Sequence, residues 1–152
     1  GLLHTLMGGN TVSTFSAGDR KSIEFAAMNA VIAIEKLLGF EPKNVSAMKC
    51  GYDVESYIPE KHRMQPTDYA LRMIEVKGRA KGADTVTVSK NEILTALNKP
   101  EEFILAIVEV DGKNTHTIYL KHPFKNAPDF TATSVNYDMQ ELIAEAEIVY
   151  QN

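Results

Sequence analysis

Three residues carry the strongest chemical signal in this chain: Asp53, Glu75 and Lys77. Glu75 and Lys77 lie in Ile74-Glu75-Val76-Lys77-Gly78, an apolar-polar alternation of strand type. Side chains along a strand point to alternate faces. Glu75 and Lys77 therefore share one face, and Ile74 and Val76 turn to the core. A carboxylate and an ammonium at this spacing serve either as an ion pair on a solvated face or as a metal ligand beside a lysine that orients water. Asp53, in Gly51-Tyr52-Asp53-Val54, is read on the strand that neighbours the Glu75 strand. Adjacent strands lie about 4.8 Å apart, so two carboxylates there can share one divalent cation. Mg²⁺ takes oxygen ligands and keeps several waters, so two carboxylates and a phosphate suffice. The plainer alternative makes Asp53 a turn residue after Gly51.

The elements that must hold these residues can be read along the chain. Residues 1–18 are rich in Gly, Ser and Thr and read as a flexible lead-in. A helix is predicted from Asp19 to Leu38, capped by Asp19 and stopped at Gly39, with Ile23, Ala27, Ala30, Val31, Ile34, Leu37 and Leu38 at helical spacing. Glu24 sits at the border of this apolar face. It is either an ordinary first-turn Glu favoured by the helix dipole or a carboxylate leaning toward the sheet. Strands are predicted over Val45–Lys49 and Tyr52–Ile58, paired through Cys50-Gly51, with Cys50 a buried strand residue. Pro59 to Asp68 reads as a loop, Leu71–Lys77 as a third strand and Thr85–Val88 as a short fourth.

Ser89 and Glu92 have the Ser-x-x-Glu spacing of a capping box opening a helix over Lys90–Leu97. The unbroken apolar run Phe103–Val108 suits a strand buried on both faces. Asp111-Gly112 turns it into a partner strand, Thr115–Leu120. Residues 123–137 show scattered aromatics, and a last helix is predicted over Asp138–Ala146. The domain reading is a core over 19–122 and an extension over 123–152 that packs on it and ends in a short helix. Strands interleaved with helices predict an α/β fold: a central mixed β-sheet flanked by helices.

The order of Glu24, Asp53 and Glu75-Val-Lys77 resembles the PD-(D/E)XK nuclease signature. More closely, Ile23 to Val110 resembles the C-terminal domain of the plant protein NO VEIN, a domain often attached to helicase-like proteins. Glu24-x-x-Ala27, Gly51-Tyr52-Asp53, Ile74-Glu75-Val76-Lys77-Gly78 and Asn91-Glu92 carry that resemblance. It implies a restriction-endonuclease-like core and a Mg²⁺-dependent endonuclease acting on DNA, with Mn²⁺ able to substitute. Asp53 and Glu75 would ligate the metal, and Glu24 would complete its shell directly or through water. Lys77 would orient the attacking water and stabilise charge at the phosphate. The Pro that precedes the Asp in the motif's name is Tyr52 here.

Lys49, Arg79, Lys81, Lys90 and Asn91 are the candidates for DNA contact, with Glu92 an accessory residue that capping alone would also explain. For the basic residues the plain alternative is a solvated charged loop. A parent-protein helicase or ATPase domain, in a helicase-like or phage-defence system, is the expected partner, and homodimer formation is left open. The competing readings are a nucleic-acid-binding or targeting module without catalysis, and a protein-interaction domain docking through Phe124, Phe130 and Tyr137.

The chain of 152 residues is long enough to bury a core without staples. Its 16 basic and 20 acidic residues give a net charge of −4, which argues against a general DNA coat but not against a local basic patch. Cys50 is the single cysteine, so an internal disulfide framework and a multi-Cys zinc site are excluded. One free thiol fits a reducing, cytoplasmic compartment. No apolar run reaches the roughly 18–20 residues that span a bilayer, and no signal peptide is visible. The start at Gly1 rather than Met fits either a trimmed chain or a domain cut from a larger protein. The four His show no metal-ligand spacing, and Gly78-x-x-x-Gly82 lacks the Lys-Ser/Thr of a phosphate loop.

Overall fold

The computed structural model describes residues 17–65 and 69–152; the predicted lead-in over 1–18 lies almost wholly outside them. Helix α1 spans Ala17–Leu37. Ala27, Val31 and Ile34 recur at helical spacing on its inner face and are buried. It ends in a Schellman motif: the Phe40 N–H donates to the Glu35 carbonyl and the Gly39 N–H to the Lys36 carbonyl, with Gly39 at φ +90°.

Strands β1 (Glu41–Asn44), β2 (Val54–Tyr57), β3 (Leu71–Ala80), β5 (Phe103–Asp111), β6 (Asn114–Lys121) and β8 (Glu147–Gln151) form one sheet in the order β1-β2-β3-β5-β6-β8. β3 and β5 run parallel and the other pairs antiparallel. Strand β4 (Thr85–Ser89) and helix α2 (Lys90–Asn98) make the crossover between β3 and β5. Strand β7 (Ser134–Asp138) pairs with β4 in a second, two-stranded sheet, and helix α3 (Met139–Glu145) links β7 to β8. The result is the expected mixed sheet flanked by helices, consistent with a restriction-endonuclease-like layout. No helix among the described residues is long and apolar enough to cross a membrane.

β5 explains why two cores exist. Phe103 through Val108 are all buried, and the alternation splits them. Phe103, Leu105 and Ile107 pack with Ile93 and Ala96 of α2 and Val86 and Val88 of β4. Ile104, Ala106 and Val108 pack with Ala27, Val31 and Ile34 of α1. A buried polar junction ties α1 to the sheet. Glu35, fully buried, accepts two hydrogen bonds from Arg72 (2.8 and 3.1 Å) and one from the Tyr119 hydroxyl (2.8 Å). The Arg72 guanidinium also lies over the Phe40 ring, 4.9 Å from its centroid.

Four details differ from the sequence reading. The first strand is Glu41–Asn44; Ser46–Met48, expected in the strand, form a 3₁₀ turn, and Lys49 is left-handed at φ 51°. The β1–β2 connection therefore runs over Val45–Asp53 rather than a two-residue turn, and Cys50 is exposed in it. Gly51 takes φ +95°, and a Cβ there would collide with the Thr95 side chain. β7 forms at the end of the 123–138 stretch, where the scattered aromatics predict no strand. β8 follows the helix expected to be the last element of the extension and adds the sixth strand to the main sheet.

Candidate active site

β2 pairs with β3 only over Leu71–Ile74, whereas β3 runs on to Ala80 beside β5. From Glu75 onward the β2-side edge of β3 is left open, and Asp53 stands at the point of divergence. It lies in the bend just before β2, not within the strand as expected. Its backbone is clamped on both sides: the N–H donates to the Ile74 carbonyl (2.9 Å) and the carbonyl accepts from the Val45 N–H (2.8 Å). Its Oδ2 accepts from the Val76 N–H at 2.9 Å, replacing the partner that β2 no longer supplies. The side chain is thus fixed against the strand that carries Glu75 and Lys77.

Glu75 is 3% exposed. Lys77 projects to the same face, and its Nζ lies 3.3 Å from Glu75 Oε2 and 3.0 Å from Glu92 Oε1. Glu92 reaches this point through the start of α2. The capping box forms as predicted, with the Ser89 hydroxyl accepting from the Glu92 N–H (3.1 Å) and Glu92 Oε1 accepting from the Ser89 N–H (2.9 Å). The cap therefore does two things: it starts the helix and anchors the lysine.

Burial and charge set the protonation of this group. Desolvation first, then the facing Asp53 carboxylate, push Glu75 up to about 9 despite Lys77. Burial likewise raises Asp53, outweighing the Val76 N–H. Desolvation penalises the Lys77 ammonium, but Glu75 and Glu92 outweigh it and the net shift is upward. Burial also acts against the Glu92 carboxylate, yet the Ser89 N–H and Lys77 prevail and lower it. The site so described holds a cationic lysine, an anionic Glu92 and a pair of carboxyls short of positive charge. Perturbed acid pairs of this kind are characteristic of functional sites.

Asp53, Glu75, Lys77 and Arg79 line a cavity of about 680 Å³ at the open edge. Glu24 lines it too, from the exposed flank of α1. Arg79 has its Nε buried without a hydrogen-bond partner. The remaining predicted DNA contacts are not brought to this cavity. Lys49 is exposed in the β1–β2 connection. Lys81 pairs with Asp111 at 3.5 Å on the surface. Lys90 donates to the Phe130 carbonyl (3.0 Å) and covers the Phe130 ring. Asn91 is exposed, and its carbonyl accepts from the Thr95 hydroxyl.

Lys21, Phe25, Met28, Asn44, Thr85 and Thr87 line the cavity without having been singled out. For the first three a signal existed: Lys21, Glu24, Phe25 and Met28 follow i, i+3, i+4, i+7 spacing and form one helical stripe. Among the described residues, no group of three or more His, Cys, Asp or Glu side chains is arranged to hold a metal ion.

The family described as Protein NO VEIN, C-terminal, matches residues 23–120. The chain belongs to the NO VEIN C-terminal family. The match runs from the second turn of α1 into β6 and includes Glu24, Asp53, Glu75, Lys77 and Glu92. β7, α3 and β8 fall beyond the matched NO VEIN segment. No curated protein matches the chain, and no solved structure does.

Proposed function

We propose that this NO VEIN C-terminal domain is a divalent-metal-dependent endonuclease module that hydrolyses DNA phosphodiester bonds. One observation carries the reading: Asp53, buried Glu75 and Lys77 meet in an open cavity where β3 loses its β2 neighbour. The donor set fits a hard cation. Two carboxyls face each other with too little positive charge between them, and burial together with the Asp53 carboxylate lifts Glu75 to about 9. Mg²⁺, or Mn²⁺ in its place, would be held by Asp53 and Glu75, with waters and phosphate oxygens making up the shell. Glu24, exposed on the cavity wall, would act through water. A bound divalent ion supplies a more acidic water and polarises the phosphate.

The chain's own residues do the rest. Lys77, kept charged by Glu75 and Glu92, directs the attacking water and meets the negative charge that grows on the phosphate. Glu92 holds that ammonium in place. The Val76 N–H keeps Asp53 from rotating away. The net charge of −4 fits a module that takes its DNA affinity from a parent helicase or ATPase domain.

The test is cleavage of supercoiled plasmid and of single-stranded DNA with Mg²⁺ or Mn²⁺. Asp53→Ala, Glu75→Ala and Lys77→Ala should each lose roughly 10²-fold or more while staying folded. Cleavage at the wild-type level by all three would overturn the proposal. A second reading, nucleic-acid binding without hydrolysis, is favoured by the lack of a three-ligand cluster among the described residues. It predicts an inert wild type whose DNA binding survives metal removal and Asp53→Ala.

A further inference from the structure

We infer that the cavity takes a single-stranded segment of nucleic acid, with an unpaired base stacked on Phe25 and flanking phosphates held by Lys21 and Arg79. This rests on reading the cavity as a phosphodiester-processing site and adds the form of its substrate. Phe25 is 70% exposed on the cavity wall. It is not a surplus core residue. At about 100° per residue, Lys21, Phe25 and Met28 lie roughly a third of a turn from the Ala27–Val31–Ile34 face that packs on the sheet. An aromatic face at the mouth of a cavity is matched chemically by another flat π surface. Nucleobases offer one only when they leave their own stack.

The charges complete the match. Among the described residues, the side chains of Lys21 and Arg79 have no ion-pair or hydrogen-bond partner. They enter the cavity from different elements, Lys21 from α1 and Arg79 from β3. Lys77, Lys81 and Lys90, in contrast, are each already bonded to protein oxygens. Free cations beside an exposed ring and a pair of carboxyls are what an extended strand requires: phosphates on the cations, a base on the ring, one phosphodiester bond at the carboxyls. A paired duplex offers Phe25 no base face except at an end.

The test is a fluorescence-anisotropy titration of a labelled dT oligonucleotide and of a duplex of equal length, with Ca²⁺ present so that binding is read without turnover. The single strand should bind about tenfold tighter than the duplex. Phe25→Ala should weaken single-strand binding about tenfold, the size of one base–aromatic stack, and duplex binding less than twofold. Phe25→Trp should restore the single-strand affinity. Arg79→Gln should lower the salt dependence of log K for the dT oligonucleotide by about 0.7, as expected for one lost phosphate contact.

Equal affinity for the two forms, or a Phe25→Ala variant that binds like wild type, overturns the inference. So does a change of oligomeric state in Phe25→Ala, which would make the ring a contact between copies. The outcomes separate from those of the nuclease reading. Lys77-dependent cleavage of duplex that ignores Phe25 keeps the nuclease and loses this inference. Phe25-dependent single-strand binding without cleavage does the reverse.

Discussion

Glu75→Gln isolates the strongly perturbed carboxyl at the centre of the site. Glu75 is held up to about 9 when folded, against an ordinary value of 4.5. A carboxyl raised in this way keeps a proton that the unfolded chain has released. Its contribution to stability is complete below the unfolded value and is lost as pH rises toward the folded one. Between these limits stability falls by up to about 1.4 kcal/mol per pH unit. From about pH 5.5 to about pH 8.5 the ceiling is on the order of 4 kcal/mol, a large share of a typical domain's 5–15 kcal/mol.

Glutamine keeps the shape and does not titrate, so the variant should lose this slope. Glu92, which is lowered, has its window below this range and affects both proteins alike. The assay is urea unfolding at several pH values, with the m-value monitored. The wild-type midpoint should fall with pH, and the Glu75→Gln midpoint should fall much less, Asp53 being the raised carboxyl that remains. Millimolar Mg²⁺ should flatten the wild-type slope and leave the variant untouched, because the ion competes with the Glu75 proton. Parallel midpoints in the two proteins would refute the reasoning: the carboxyl would then already be ionised, and the site would not lack positive charge.

Arg72→Ala leaves the buried Glu35 carboxylate with only the Tyr119 hydroxyl, and should cost about 3–5 kcal/mol in chemical denaturation. Gly78→Ala places a Cβ 2.8 Å from the Ala27 Cβ and 3.0 Å from the Ile23 carbonyl oxygen, where α1 crosses β3. Neither neighbour can swing away, so stability should drop by about 1–3 kcal/mol, read as a lower melting temperature. Ser89→Ala removes the α2 cap and should cost about 1 kcal/mol. It should also loosen Glu92 from Lys77, so any cleavage activity should fall more than the small stability loss explains.

Local signals were legible in the sequence where they were strong and self-sufficient. The apolar periodicity of α1, the Ser89–Glu92 box of α2 and the all-apolar run of β5 each declare their element. The Glu75–Lys77 alternation put both residues on one face because a strand allows nothing else. β7 and β8 were not legible. β7 alternates polar with apolar over only five residues, β8 does not alternate, both are mostly exposed, and they are strands because β4 and β6 offer them unpaired edges. The shift of β1 has a similar origin. Val45 alone is buried in the 45–49 stretch, and the turn residues around Lys49 and Gly51 prevail over its β-propensity.

For the site, the division follows the range of the forces. By itself the sequence determined which groups could do chemistry, their order along the chain and the face of β3 that carries two of them. Those are consequences of backbone geometry over a few residues. Only the tertiary structure decided that β2 stops at Ile74's partner and leaves an edge for Asp53 to cap. It alone brought the helix cap Glu92 onto Lys77, and left Lys21, Phe25 and Arg79 at the cavity while binding Lys81 and Lys90 elsewhere. Burial, which sets the protonation of Glu75, is a property of the packed whole: the same carboxyl in an isolated strand would be an ordinary acid in water.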